Sequence, residues 1–166
     1  MNPDSHKFPW REWIAALLWL ALIAIESTPW FSFQNTGHML YALLASFFGT
    51  VDVSRVSLAN AVLRETGHVT GYGVLSWLFF RAWRATFRSS RAAAWALAWS
   101  AAAFVMTAAV ASLDEWHQTF LPSRTGAFRD VLLDSSAALA VQILLFALWK
   151  RRVARAQEKP TVAVGD

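Results

Sequence analysis

The 166-residue sequence contains no cysteine, only seven glycines and few charged residues, at 16% of the total. Without cysteine the chain cannot be a disulfide-stapled secreted domain, hold a thiolate metal site or perform thiol chemistry. The scarcity of glycine excludes a collagen-like repeat. An average soluble domain has about 25% charged residues, whereas here 56% of the residues are hydrophobic. This composition excludes a disordered chain.

The basic residues are distributed in short clusters between apolar runs. Fifteen lysines and arginines against eleven acidic residues give a net charge of +4. A nucleic-acid-binding protein gathers such residues on one soluble face, whereas clusters that flank apolar runs are typical of an integral membrane protein. We therefore expect membrane lipid as a partner and no nucleic acid.

Four apolar windows predict an all-α, polytopic membrane protein built as a four-transmembrane-helix bundle. A helix needs roughly 20 mainly apolar residues to cross about 30 Å of hydrocarbon. The predicted spans are residues 13–31, 58–80, 92–113 and 131–149. The second is the least apolar because Arg64, Glu65 and His68 lie in its first half. Within it, Gly67 and Gly71 form a small-xxx-small pair that predicts the close approach of another helix.

The remaining segments are shorter or charged. Residues 38–51 are apolar but too short to cross, which favours a short interfacial or re-entrant helix between spans 1 and 2, or a plain buried loop helix. Residues 1–150 are predicted to form a single transmembrane domain. Residues 151–166 are predicted to form a charged, disordered cytoplasmic tail.

The charge distribution predicts the orientation of these spans. With four spans, eleven of the fifteen lysines and arginines fall on the side of the two termini and of the loop at 81–91, and four fall on the other side. The positive-inside rule therefore places both termini in the cytoplasm of a bacterial cell, across its inner membrane. Seven of the eleven carboxylates follow the opposite bias and lie in the outer half.

Ionisable side chains within a membrane are costly unless they are paired, so they mark function and face the bundle interior. In the second span, Glu65, His68 and Tyr72 fall within about 60° of one another on a helix. The predicted functional cluster at the outer level consists of Glu65, His68, Tyr72, Asp114, Glu115, His117, Gln118, Arg124, Asp130 and Asp134.

At the outer end of the third span, Asp114, His117 and Gln118 share one helical face, and Glu115 is turned about 100° away. The four acidic members of the cluster that follow this span are candidate ligands for a divalent cation. These are Asp114, Glu115, Asp130 and Asp134.

Asp130 and Asp134 are neighbours one helical turn apart at the start of the fourth span. Two ionised carboxylates at that spacing repel, so a cation, an arginine or a shared proton is implied. We expect the proline- and glycine-containing turn before them to hold Arg124 beside both carboxylates, since arginine binds carboxylate or phosphate through two parallel hydrogen bonds.

The motifs around these residues resemble those of a known family. Residues 114–124 read DEWHQTFLPSR and residues 130–134 read DVLLD. They resemble the signature of the VanZ-like family, a DE-x-x-Q-x-F-x-P-x-R block followed by D-x-x-x-N/D at the start of the last helix. Residues 64–72, RETGHVTGY, look like an upstream family element with a basic residue, a histidine and a tyrosine. Asp134 stands where many members have asparagine, and Ala137 and Ala138 replace a common glycine.

The resemblance implies a four-helix membrane protein of the cell envelope, in a family named for low-level resistance to the glycopeptide teicoplanin. It supplies no biochemical mechanism. Our leading hypothesis is that the outward cluster binds a lipid-linked cell-wall precursor or a glycopeptide and thereby contributes to teicoplanin resistance.

Three alternatives stay open. In a membrane-embedded enzyme acting on a phosphorylated lipid carrier, His68 or His117 would act as general acid or base, with a metal or Arg124 stabilising charge. In a small proton-coupled transporter, the carboxylates and histidines would relay protons. In a purely structural protein, the cluster would be an ion-pair staple that locks the outer ends of the spans together.

Overall fold

The computed structural model describes residues 8–87, 97–124 and 126–157, and in these residues every regular element is helical. The elements are α1 (Trp10–Glu26), a 3-10 turn (Pro29–Phe31), α2 (Phe33–Phe48), α3 (Val53–Thr86), α4 (Leu97–Gln118) and α5 (Phe128–Gln157). The predicted all-α class is confirmed. Residues 88–91 of the basic loop, the first five residues of the predicted span 92–113 and residues 158–166 of the predicted tail lie outside the described residues.

Two helices, α4 and α5, are long and apolar enough to cross a membrane. Large apolar side chains such as Val105 and Leu113 of α4 and Ile143 and Leu144 of α5 are exposed on their surfaces. A water-soluble surface rarely carries so many, whereas lipid contact favours them. The other two predicted spans correspond to α1, which has 17 residues, and α3, which has 34 but is polar in its first half. That these two also cross stays a prediction.

The helix boundaries differ from the predicted spans because hydropathy marks membrane exit, whereas capping and propensity decide where a helix ends. α1 ends at Glu26, five residues before the predicted boundary, and the chain then turns at Pro29. α5 continues through the charged residues to Gln157, so the prediction of disorder from residue 151 is wrong for 151–157. Lysine, arginine, alanine and glutamine are good helix formers, which explains the extension.

Side-chain caps set the start of the helices around the predicted interfacial segment. Asp52 accepts hydrogen bonds from the backbone N–H of Ser54, at 2.8 Å, and from its hydroxyl, at 2.6 Å, and these bonds lower the pKa of the Asp52 carboxyl. An N-cap of this kind satisfies an N–H group that has no partner within the helix. α2 ends at Phe48 and is followed by Gly49, whose φ of 75° lies in the region that favours glycine. The predicted short helix therefore exists and is 16 residues long.

α3 is the central helix, because it packs against α1, α2, α4 and α5. The buried residues of α4 and α5 include small ones, such as Ala103, Ala111 and Ala138. The predicted close packing at Gly67 and Gly71 is wrong, since a Cβ at either position would have no neighbour within 4 Å. The close contact of α3 is at Gly73 instead, where a Cβ would lie 3.3 Å from Cγ2 of Val141.

A buried polar network joins α3, α4 and α5 in the half of the bundle away from the predicted cluster. The Gln142 side chain donates to the Ser76 hydroxyl at 2.8 Å and to the Ser76 carbonyl at 3.2 Å, and it accepts from the Ser100 hydroxyl at 2.8 Å. All three side chains are buried. One amide thus bridges three helices where lipid offers no alternative partner.

Replacing Gln142 by leucine, which keeps the volume and removes the bridge, is expected to lower the free energy of unfolding by about 1–2 kcal/mol. Thermal unfolding in detergent measures this. The matched control is Gln34→Leu on the exposed surface of α2, which should leave the melting temperature unchanged. Equal melting temperatures for the two variants would show that the network adds no stability.

Candidate polar site

A cavity of about 310 Å³ lies at the end of the bundle where α1 and α4 end and α5 begins. It is lined by apolar and polar side chains together. The apolar ones include Ile23, Phe31, Leu40 and Leu63, and the polar ones include Asn60, Arg64, His68, Tyr72, Asp114, Gln118 and Arg124. Five of the ten residues in the predicted cluster therefore line one cavity, while Glu115 and Asp134 lie buried beside His68.

Arg124 connects the turn between α4 and α5 to the end of α1. Its Nη2 donates to the carbonyl oxygens of Glu26 and Thr28, the latter at 3.1 Å. The predicted pairing of Arg124 with Asp130 and Asp134 is wrong, because the last carbonyls of α1 have no partner within that helix and take this donor instead. A cation at a helix C-terminus is also favoured by the helix dipole.

Burial lowers the pKa of the Arg124 guanidinium, and the nearby positive charge of Arg64 lowers it further. Arginine nevertheless stays charged at neutral pH, because its ordinary pKa is so high. Nε of Arg124 is buried and has no hydrogen-bond partner in the described part of the chain. The cavity therefore contains a charged guanidinium group with one unused donor.

Asp114 accepts hydrogen bonds from three directions. The hydroxyl of Ser27 donates to one carboxylate oxygen, and the Tyr72 hydroxyl at 2.9 Å and the Gln118 amide at 3.1 Å donate to the other. Tyr72, Asp114 and Gln118, three members of the predicted functional cluster, are therefore in hydrogen-bond contact. Ser27 was not predicted, because a serine just after a helix looks like an ordinary turn residue and its partner is 87 positions away.

Three ionisable side chains from three helices meet beside the cavity. Nδ1 of His68 on α3 lies 3.1 Å from Oδ2 of Asp134 on α5. Glu115 on α4 completes the group, and its Oε2 accepts a 2.7 Å hydrogen bond from the backbone N–H of Ala127. The imidazole also stacks on Tyr72, with 6.1 Å between ring centroids. This group, His68, Glu115 and Asp134, is called the three-helix cluster below.

Three predicted site residues do not join the site. His117 is exposed. Glu65 is exposed and forms a surface ion pair with Arg129, at 3.2 Å. Asp130 is half-buried, one turn before Asp134.

The buried face of α4 explains why Glu115 is inside and His117 is outside. Its buried positions are 100, 103, 107, 111, 115 and 118, which are three or four residues apart throughout. This spacing is one face of a helix. We assigned the face from the polar residues alone, whereas extending the stripe of Ala103, Thr107 and Ala111 would have selected Glu115.

Arg64 is a cavity residue that we did not include in the predicted cluster. It precedes His68 by one helical turn, so it lies on the same face, and its Nη1 donates to the Phe31 carbonyl at 3.0 Å. Its spacing of one helical turn from His68 could have identified Arg64 as a site residue from the sequence. Its position places two arginines, Arg64 and Arg124, in the lining of the same cavity.

Comparison with known proteins gives one match. A family model described as VanZ/LLP1 matches residues 12–150, and this range includes every residue of the cavity and of the three-helix cluster. A search of curated proteins and a search of solved structures find no match.

Proposed function

Because the chain belongs to the VanZ/LLP1 family, we propose that it is a cell-envelope membrane protein whose cavity binds a lipid-linked, anionic ligand related to the bacterial cell wall. The observation that carries the proposal is the lining of the cavity, in which an apolar wall and two arginines face the same space. A polyprenyl phosphate, with a hydrocarbon chain and a charged head, combines the two properties that such a lining recognises.

In the proposed topology α1, α3, α4 and α5 cross the bacterial inner membrane and both termini are cytoplasmic. The support is the bias of lysine and arginine toward one side. The cavity then lies near the outer surface, where cell-wall precursors and glycopeptides are found. α2, which is apolar, exposed and only 16 residues long, would lie in the interface beside the cavity.

The polar part of the lining favours an anion at Arg64 and Arg124. Two carboxylates, Asp114 and Glu26, also line the cavity. Asp114 already accepts hydrogen bonds from three donors, which stabilise its charge, and Glu26 is exposed. The two guanidinium groups have only main-chain carbonyls as described partners. A phosphate would therefore meet two charged donors with no competing carboxylate salt bridge.

The test is to titrate the purified full chain in detergent with a polyprenyl phosphate and with the corresponding neutral polyprenol. The phosphate should bind more tightly, and Arg64→Gln should weaken its binding by about 10- to 100-fold, the loss of one charge-assisted hydrogen bond. Arg55→Gln, which removes an exposed arginine at the start of the same helix, is the matched control and should bind as the unchanged chain does. Equal affinities for the two lipids would contradict the proposal.

A steric variant tests the cavity without changing charge. Gly67 lines the cavity and has open space where a side chain would begin. In the same titration Gly67→Leu should abolish binding without lowering the melting temperature, because leucine is more favourable than glycine in a helix. Unimpaired binding in this variant would place the ligand elsewhere.

Two further readouts of these variants separate the alternatives. Release of inorganic phosphate during the titration would favour the membrane-embedded enzyme over a binding protein. In bacteria, protection against teicoplanin should be lost with Arg64→Gln and with Gly67→Leu and kept with Arg55→Gln, if ligand binding underlies the resistance that the family resemblance implies.

A further inference from the structure

The three-helix cluster places one donor atom from each of His68, Glu115 and Asp134 within 4.8 Å of the others. The side chains come from α3, α4 and α5, so only the folded bundle brings them together. Glu115 is 4% exposed and Asp134 is fully buried, while the His68 side chain is 18% exposed on the cavity side. The two carboxylates of the cluster are therefore buried, and its histidine lines the cavity.

Each of the two carboxylates has one oxygen with a partner and one without. Oδ2 of Asp134 lies beside His68 and Oε2 of Glu115 accepts from Ala127, whereas Oδ1 of Asp134 and Oε1 of Glu115 are buried with no hydrogen-bond partner in the described residues. Buried polar atoms nearly always have a partner. Two orphaned carboxylate oxygens in one cluster therefore indicate a missing positive group.

We propose that His68, Glu115 and Asp134 bind a divalent transition-metal cation, for which Zn²⁺ is the test ion. One imidazole nitrogen and two carboxylate oxygens are a ligand set for such an ion, and cavity water or a ligand would fill the remaining position. Donors about 2.1 Å from a tetrahedral Zn²⁺ lie about 3.4 Å apart. The donor atoms lie within 4.8 Å of one another in the structure, so ion binding would draw them closer together.

The Ala127 N–H orients Glu115 in the way that outer partners orient metal ligands. The proposed set shares only Glu115 and Asp134 with the four carboxylates predicted from the sequence. Asp114 is excluded because Ser27, Tyr72 and Gln118 occupy it. The fully formed ion-pair staple is also disfavoured, because it would leave the two buried oxygens unpaired.

The experiment measures metal in the purified full chain, without lipid, so that its outcome is independent of the proposed lipid ligand. The protein is stripped with a chelator, dialysed against Zn²⁺, Mn²⁺ or Mg²⁺, and analysed by mass spectrometry for metal and by thermal unfolding. We expect about one transition-metal ion per chain and a higher melting temperature with the ion, because binding to the folded state stabilises it. Mg²⁺ should give neither effect.

Glu115→Gln and Asp134→Asn should each lower the affinity by more than the roughly 10- to 100-fold that loss of an outer partner costs. The matched control is Asp130→Asn, which removes the charge of a carboxylate one turn from Asp134 that is not among the three ligands, and it should lower the affinity less than about 10-fold. Metal content that is the same in all variants, or the absence of both metal and a melting shift in the unchanged chain, would overturn the proposal. The comparison of the stripped and loaded unchanged chain needs no variant, so a variant that fails to fold leaves the test decisive.

Discussion

Gly126→Ala is expected to lower the free energy of unfolding by about 3 kcal/mol, the upper end for forcing extra volume into a packed site. A Cβ at this position would lie 2.3 Å from the Glu115 carbonyl oxygen and 2.7 Å from Cγ2 of Thr119. The carbonyl belongs to α4 and cannot move without disturbing that helix. The turn must therefore shift, and the adjacent bond from the Ala127 N–H to Glu115 should weaken with it.

Thermal unfolding in detergent measures the effect, with Gly67→Ala as the matched control. Gly67 lies within α3, and a Cβ there meets nothing within 4 Å. Alanine is favoured over glycine in a helix by about 0.5–1 kcal/mol, so the control should be slightly more stable than the unchanged chain. Equal melting temperatures for Gly126→Ala and Gly67→Ala would refute the close approach of the turn to α4.

The second large effect is expected for Arg124→Ala, at about 3 kcal/mol. The substitution removes two hydrogen bonds made by a charged group, each worth about 1.5–3 kcal/mol. The Glu26 carbonyl loses this donor, whereas the Thr28 carbonyl keeps the backbone N–H of Phe31, at 3.1 Å. It also removes the contact that ties the turn before α5 to the end of α1. The loss of stability should therefore appear as a lower melting temperature when unfolding is followed through the helical content of the whole chain.

Arg129→Ala is the control for this substitution, because Arg129 lies five residues further on and its side chain is 80% exposed in a surface pair with Glu65. Exposed ion pairs contribute at most about 1 kcal/mol. The two variants remove the same charge from the same region, so their difference reports burial and hydrogen bonding. A melting temperature for Arg124→Ala no lower than that for Arg129→Ala would contradict the assignment of Arg124 as the link to α1.

Arg124 and Gly126 lie in the same turn, between α4 and α5. This turn contributes to the geometry of both proposed sites, the cavity and the three-helix cluster. Arg124 holds the turn against the end of α1, where the cavity is, and Gly126 lets it approach Glu115 of the three-helix cluster. A variant of either residue should therefore affect lipid binding and metal binding through structure. For this reason the binding experiments above use Arg64, Gly67 and Glu115 instead.

Much of the candidate site could be predicted from residue types and spacing. His68 and Tyr72 were paired by helical periodicity, and Asp114 was paired with Gln118 in the same way. Glu115 and Asp134 were selected because carboxylates in apolar helices need a partner. Helical spacing thus selected four residues that line or adjoin the cavity, and it also selected Glu65 and His117, which are exposed.

The partners of these residues could not be predicted, since each contact joins helices distant in the chain. Arg124 was assigned to Asp130 and Asp134 because they are near in sequence, but its acceptors are almost 100 positions away, at the end of α1 and in the turn that follows it. Glu65 was placed inside on its periodicity with His68, yet the rotation of α3 leaves it on the surface beside Arg129.

The sequence by itself determined that this is an all-α membrane protein of its family, with seven of its eleven carboxylates and most of its lysines and arginines predicted on opposite sides. Composition and periodicity are properties of the chain, so they need no knowledge of neighbouring helices. Only the tertiary structure decided that Glu115 faces inward, that Arg124 donates to the carbonyl at the end of α1 and that two arginines line one cavity. Those outcomes depend on how each helix is rotated and how closely it approaches the next, and side-chain packing between distant segments sets both.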